Sequence, residues 1–128
     1  MPSSRRNATR LNRLLGAATA AYSIAVIIKP AWLARPYRLT TTGPGGDIPP
    51  EVRLMIAVIG SRDAAIGTAM VLAGDGKARR TATLCRIAAD TADVVLFGRM
   101  LPDRTARRRV AVIAAGWAVL CAATLRDL

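Results

Sequence analysis

The sequence predicts an all-α protein, namely a four-helix transmembrane bundle with short connections and one longer Gly/Pro loop. The 128 residues contain four long apolar runs, and hydrophobic residues make up 52% of the chain although aromatic residues make up only 4%. Alanine, valine and leucine therefore carry the apolar character, which is typical of helices that pack closely in lipid. No sustained alternation of apolar and polar residues indicates β-strands.

The charge of the chain has two physical interpretations. Its 19 basic and 8 acidic residues give a net charge of +11, which suits either a nucleic-acid-binding surface or arginines that flank membrane segments. All basic residues except Arg62 and Arg86 lie at the ends of the apolar runs or between them. This distribution favours a multi-pass protein of the cell membrane, with the lipid bilayer as its first partner. The basic residues are divided too evenly between the two ends to set an orientation.

The N-terminal part is expected to consist of a basic tail, residues 1–13, followed by the first helix of a membrane domain that covers residues 14–128. The tail contains four arginines, at Arg5, Arg6, Arg10 and Arg13. The first helix is predicted at about 14–34. On it, small side chains recur every four residues, which would permit close contact with another helix, at Ala17, Ala21 and Ala25.

The Gly/Pro loop, with the run Gly43-Pro44-Gly45-Gly46, precedes the second helix, which is predicted at about 51–73. Asp47 is expected to cap this helix at its N-terminus. Glycines then recur every seven residues, so they fall along one side of the helix and are expected to serve helix packing; they are Gly60, Gly67 and Gly74.

The last two helices are predicted at about 80–101 and 105–126. A turn at Gly74-Asp75-Gly76-Lys77 precedes the third helix, and Pro102 follows it. The uncharged part of the fourth helix has 16 residues, which corresponds to about 24 Å and is shorter than the ~30 Å hydrocarbon core. Flanking arginines can make up the difference by extending towards the membrane surface. Four spans place both chain termini on the same side.

Five charged residues interrupt the second and third apolar runs, where a charge facing lipid is costly. They are Arg62, Asp63, Arg86, Asp90 and Asp93. Arg86 and Asp90 stand at i,i+4 on one helix face and can pair directly. Two arginines and three aspartates leave one carboxylate in excess, which a proton could neutralise. These residues are therefore predicted to form a buried polar network between the second and third helices.

Two interpretations of this network remain open. In one, it is a structural salt-bridge network that fixes the register of two helices. In the other, it is a proton-linked or ligand-binding site of a small carrier, since ionisable groups inside a membrane commonly mark function. The second requires oligomerisation, because four short helices enclose little space.

The segment Gly60-Ser61-Arg62-Asp63-Ala64-Ala65-Ile66-Gly67 resembles a motif of a bacterial family of small four-helix integral membrane proteins of unknown function. The family pattern Gly-x-Arg-Asp-x-x-x-Gly matches at Gly60, Arg62, Asp63 and Gly67. Polar positions of the family's third helix are similar to Arg86, Asp90 and Asp93. The resemblance covers roughly residues 54–101. It implies the membrane topology and the pairing of the second and third helices, and it implies no activity.

Other classes of function have less support. A structural membrane subunit that binds a protein partner, or a second copy of the chain, would use the small-residue stripes. A soluble, basic helical bundle that binds nucleic acid would have to cover two helices that are apolar nearly all round. An enzyme has the least support, because no catalytic arrangement is visible. The absence of histidine excludes His-ligated metal sites, and no cofactor is expected. Cys85 and Cys121 are expected to be buried free thiols.

Overall fold

The computed structural model describes residues 2–41, 45–74 and 76–128, and within them the chain is helical without β-strands. Five helices follow one another rather than the predicted four. They are α1 (Pro2–Ile28), α2 (Ala31–Ala34), α3 (Pro50–Leu72), α4 (Lys77–Met100) and α5 (Arg104–Leu125). The predicted residues Gly43, Pro44 and Asp75 lie outside the described residues.

The additional helix arises at Lys29-Pro30, which the prediction of one helix over 14–34 ignored. Proline has no backbone N–H, and its ring disfavours the α conformation of the residue before it. α1 therefore ends at Ile28, and the chain restarts as the four-residue helix α2. The ammonium group of Lys29 lies 5.4 Å from the centroid of the exposed Trp32 ring.

The N-terminal residues form the first turns of α1 and not a separate tail. α1 begins at Pro2, a residue type that suits the first helical position because its missing N–H would have no helical partner. Ala8 and Asn12 are buried against the rest of the bundle. The prediction of a tail over residues 1–13 counted the arginines, but arginine is a good helix former and its charge can remain at the surface of a helix.

The four long helices are arranged as two antiparallel pairs, α1 with α3 and α4 with α5, and contacts between the pairs are fewer. Both chain termini lie at one end of the bundle, where the Ser4 hydroxyl donates a hydrogen bond of 3.0 Å to the Asp127 carboxylate. At the same end, Arg80 donates to the carbonyl oxygen of Leu125 at 2.6 Å. The opposite end carries α2, the long loop and the connection between α4 and α5.

Close contact between α1 and α3 depends on glycine, but only two of the three predicted glycines take part. A Cβ atom at Gly67 would stand 2.6 Å from the carbonyl oxygen of Gly16, and one at Gly60 would stand 2.7 Å from Cγ1 of Ile27. Gly74 lies beyond the end of α3 with open space beside it, so it does not pack.

The partner surface on α1 also differs from the prediction. It uses Gly16 and Ala20. The predicted stripe is rotated away from α3, since Ala17 and Ala21 are exposed and Ala25 is only half-buried. Four-residue spacing is shared by every face of a helix, so spacing alone did not identify the face that is in contact.

Several polar side chains are buried inside the bundle, while many large apolar side chains are exposed. The buried polar residues are Asn12, Thr19, Ser23, Asp63, Arg79, Thr83, Arg86, Asp90 and Thr124, whereas exposed apolar residues include Leu14, Ile28, Leu54, Leu72, Met100 and Val119. In water this distribution would leave a large apolar surface uncovered. Of the two thiols, Cys121 is buried as predicted but Cys85 is exposed, which the prediction had wrong.

Three helical segments in the described residues are long and apolar enough to cross a membrane: Ser3–Ile28, Pro50–Leu72 and Arg104–Leu125. The prediction had four. α4 is of similar length but is not one of the three, because Arg86, Asp90 and Asp93 lie in its central turns. The length and composition of three helices therefore agree with a membrane protein, whereas length and composition alone do not identify α4 as a span.

The end of the bundle that carries α2 is held by local capping and by one ion pair. The carboxylate of Asp103 caps α5 by accepting a hydrogen bond of 2.8 Å from the backbone N–H of Ala106. It also pairs with Arg38 at 3.0 Å. The prediction that Asp47 caps α3 is wrong, because the N-cap residue is Pro49. The backbone carbonyl of Asp47 instead accepts a hydrogen bond from the hydroxyl of Thr41.

Candidate functional site

The five charged residues inside the apolar runs form one continuous chain of ion pairs in the order Asp93–Arg62–Asp63–Arg86–Asp90, hereafter the ion-pair chain. Arg62 binds Asp93 with both terminal nitrogens, at 3.2 and 2.8 Å, and donates from Nε to Asp63 at 2.8 Å. The other oxygen of Asp63 lies 3.0 Å from Nη1 of Arg86. Arg86 then donates to Asp90 through Nε at 2.9 Å and through Nη2.

The geometry of α-helices explains how this chain forms. Arg86 and Asp90 lie one turn apart on α4, so their side chains meet on the same face. Arg62 and Asp63 are neighbours on α3 and point about 100° apart, so that each can reach a different turn of α4. Arg62 reaches Asp93 and Asp63 reaches Arg86. The chain thus contains two ion pairs that cross between α3 and α4.

Burial increases along the ion-pair chain from Arg62 to Asp90. The side chain of Arg62 is 35% exposed, that of Arg86 is 8% exposed and that of Asp90 is 2% exposed. The contact between Arg86 Nη1 and Asp63 is an ion pair without hydrogen-bond alignment, so that this nitrogen has no hydrogen-bond partner among the described residues. Two arginines and three aspartates leave the chain with one negative charge in excess.

A cavity of about 450 Å³ lies between the two helix pairs, hereafter the central cavity. Its charged lining residues belong to the ion-pair chain and are Asp63, Arg86, Asp90 and Asp93, whereas Arg62 does not line it. The other walls are mainly apolar and include four aromatic residues, Tyr22, Tyr37, Phe97 and Trp117. Cavities of this volume, apolar with a few convergent polar groups, are typical of small-molecule sites.

Two of the aromatic residues add polar groups to the cavity wall. Trp117 on α5 donates from its indole nitrogen to the hydroxyl of Thr19 on α1 at 2.9 Å, which fixes the orientation of the ring. Burial raises the pKa of Tyr37, with a smaller contribution from Tyr22. The phenol of Tyr37 is therefore protonated at neutral pH and can donate a hydrogen bond.

A polar contact that joins three helices was missed in the sequence. The side-chain amide of Asn12 on α1 donates to the hydroxyls of Thr83 on α4 and Thr124 on α5, both at 2.9 Å. Each hydroxyl in turn donates to a backbone carbonyl of its own helix. Asn12 belongs to the predicted basic tail. The feature that could have identified it as a buried residue is a single amide beside the apolar run that begins at Leu14.

No protein-family model, curated protein or solved structure matches this chain. The resemblance to small four-helix membrane proteins, based on Gly60, Arg62, Asp63 and Gly67, therefore stays a prediction.

The site combines paired charges with a mostly apolar cavity. In the described parts of the chain, no group of three or more His, Cys, Asp or Glu side chains is arranged to hold a metal ion. The carboxylates of the ion-pair chain are each held by a guanidinium. What the arrangement provides is one excess negative charge at the wall of a mostly apolar cavity.

Proposed function

We propose that this chain is a four-span integral membrane protein of the cell membrane whose central cavity binds a small ligand, as the binding site of a small carrier. α4 acts as the fourth span because its central charges are paired with each other and with α3. Unpaired, each such charge at mid-membrane costs about 2.5–3.5 kcal/mol on insertion scales. Exposed apolar side chains on the outside of the bundle support the same placement.

The observation that carries the ligand-binding proposal is that four of the five members of the ion-pair chain line the central cavity. A network that served only to fix helix register could be sealed by packed side chains and could be neutral. This one has an excess charge and opens onto a volume that falls in the range of small-molecule sites, about 300–1,000 Å³. A proton or a ligand can therefore reach the carboxylates.

The experiment has two stages. The expressed protein is first fractionated with a carbonate wash and then extracted with detergent; recovery only in detergent supports the four-span proposal, and release by carbonate refutes it. The purified Trp32→Phe protein then reports on the cavity through Trp117, which lines it. Three small aromatic probes are titrated in neutral detergent: benzyltrimethylammonium, its uncharged carbon analogue neopentylbenzene, and benzenesulfonate.

Saturable binding of any one of these probes supports a ligand site, provided that filling the cavity abolishes it. Ala114 lines the cavity, so Ala114→Phe should remove the binding. The neighbouring Ala115 is exposed and does not line the cavity, so Ala115→Phe is the matched control and should bind as wild type. If no probe saturates, or if both variants behave alike, the cavity is not a ligand site and the structural interpretation of the network is preferred.

A structural or partner-binding subunit is the second candidate, and one observation favours it. Gly98 on α4 and Gly116 on α5 have open space where a side chain would stand, and exposed apolar residues lie about one helical turn from them, at Val95 and Val112. A helix of a second copy or of another membrane protein could approach closely there. Cross-linking of purified protein, with Gly116→Leu to block the approach, tests this proposal.

A further inference from the structure

We infer that the central cavity selects a hydrophobic organic cation, that is, an apolar, preferably aromatic molecule with one ammonium-type charge. This inference rests on the proposed function, because it names the ligand class of the same cavity. It depends on three features of the described residues: the excess charge of the ion-pair chain, the position of its arginines, and the composition of the remaining wall.

The first feature is the sign of the charge. The ion-pair chain has one negative charge in excess, and the groups that face the cavity from it are three carboxylates and only one guanidinium. No other charged side chain lines the cavity in the described residues. Because electrostatic interactions are strong where water is scarce, an excess negative charge here attracts a cation and repels an anion.

The second feature is that the positive charge of each arginine is already paired with two carboxylates. Arg86 is engaged on both sides, by Asp63 and by Asp90. Arg62 is held by Asp63 and Asp93 and does not line the cavity. An anionic ligand would therefore have to compete with carboxylates that already neutralise the arginines, whereas a cation can approach the outer side of a carboxylate without breaking an existing pair.

The third feature is the aromatic part of the wall. The faces of Tyr, Phe and Trp rings attract cations, Trp most strongly, and they also suit the apolar body of a ligand. Tyr22, Phe97 and Trp117 come from three different helices, so they border the cavity on several sides. A small inorganic cation would leave these walls uncovered, which is why we assign a hydrophobic organic cation.

The test compares benzyltrimethylammonium with neopentylbenzene, two probes of the same shape that differ by one positive charge. In the Trp32→Phe background, the cation should bind at least about tenfold more tightly than the neutral analogue, and benzenesulfonate should not bind. Signals from the Ala114→Phe protein are subtracted to remove partitioning into the micelle. All measurements are made at one pH near 8.

A series of charge variants separates the net charge from the individual side chain. Asp93→Asn makes the ion-pair chain neutral, and the tenfold preference should disappear. Arg62→Gln adds one further excess negative charge, so the preference should increase. The double variant Arg62→Gln/Asp93→Asn restores the wild-type excess of one negative charge and should restore the preference for the cation. If Asp93→Asn alone does not give a folded protein, the other two variants still decide the question.

The outcomes distinguish this inference from the proposed function. Equal binding of cation and neutral analogue, lost in Ala114→Phe, would keep the cavity as a ligand site but overturn its charge selectivity. A cation preference that is unchanged across the charge series would also overturn it. Absence of saturable binding for all three probes would overturn the proposed function itself.

Discussion

Substitution of Gly67 by alanine is the sharpest test of how α3 is positioned. The Cβ atom would stand 2.6 Å from the carbonyl oxygen of Gly16 and 2.8 Å from the backbone nitrogen of Ala20. Both are backbone atoms, which cannot rotate away as a side chain can. Since ordinary contact begins near 3.4 Å, α1 and α3 would have to separate by about 0.8 Å along this direction.

The expected magnitude follows from two opposing effects. Overpacking of this kind costs about 1–3 kcal/mol. Alanine is also about 1 kcal/mol better than glycine inside a helix, so part of the cost is masked. Gly116 is the matched control, because it lies inside α5 with nothing within 4 Å of its added Cβ atom. The propensity gain is the same in both variants, so Gly67→Ala should be about 1–3 kcal/mol less stable than Gly116→Ala.

Both variants would be unfolded by titration with sodium dodecyl sulfate in mixed micelles, with tryptophan fluorescence as the signal. The same proteins would be tested for probe binding, since Ala18 and Thr19 on α1 line the central cavity and would shift with the helix. Equal stability of Gly67→Ala and Gly116→Ala would refute the close approach of α1 and α3. It would also remove the packing argument for the glycine motif.

Three further predictions concern other parts of the bundle. Asn12→Ala loses two buried hydrogen bonds to Thr83 and Thr124, so it should destabilise the protein by about 1–2 kcal/mol in the same titration. Asn7 is exposed, so the control variant Asn7→Ala should leave the stability unchanged. Similar effects of both substitutions would contradict the three-helix contact. The pKa of Asp103 is lowered from its ordinary value of 3.8, first by the backbone N–H of Ala106 and also by Arg38. The stability that the Asp103 carboxylate contributes is therefore present above pH 3.8 and is lost as the pH falls through the lowered pKa. Wild type should therefore lose more stability between pH 5 and pH 3 than Asp103→Asn, and parallel pH profiles would argue against the cap. Trp32 is exposed beside Lys29 at the end of α1, where a membrane surface is expected. In the Trp117→Phe protein, its fluorescence should therefore be quenched more by lipids brominated near the headgroup than by lipids brominated near the chain end. The reverse order would place this end of the bundle inside the membrane.

The sequence was sufficient for those features that depend on local pattern. Long apolar runs predicted the long helices α3, α4 and α5 to within three residues at each end. The i,i+4 spacing predicted that Arg86 could bind Asp90, because that contact depends on one helix alone. Pro30 was visible too, and its effect on α1 follows from local chemistry. The prediction failed there because the apolar run resumes at Ala31.

Features that depend on the relative position of two helices could not be predicted. Nothing local indicates that Arg62 reaches Asp93 while Asp63 reaches Arg86, because a shift of one turn between α3 and α4 would offer other pairs. The same holds for Gly16, whose importance appears only beside Gly67. Asn12 illustrates the point most clearly, since its two partners lie 71 and 112 residues away in the sequence.

If the proposed function holds, register and ligand binding are not separate roles for the ion-pair chain, because the same carboxylates would serve both. α3 contributes one arginine and one aspartate, and α4 contributes one arginine and two aspartates, so Asp93 has a partner only while α3 is in place. A cation beside Asp93 would leave its bidentate contact with Arg62 formed but would weaken the attraction, because the carboxylate charge is then shared. This contact is one of the two ion pairs that cross between these helices. Because contacts between the two helix pairs are already fewer than contacts within them, such a ligand would loosen α4 from α3 at the boundary between the pairs. In a carrier, that coupling is what would link occupancy of the cavity to a change in the positions of the helices.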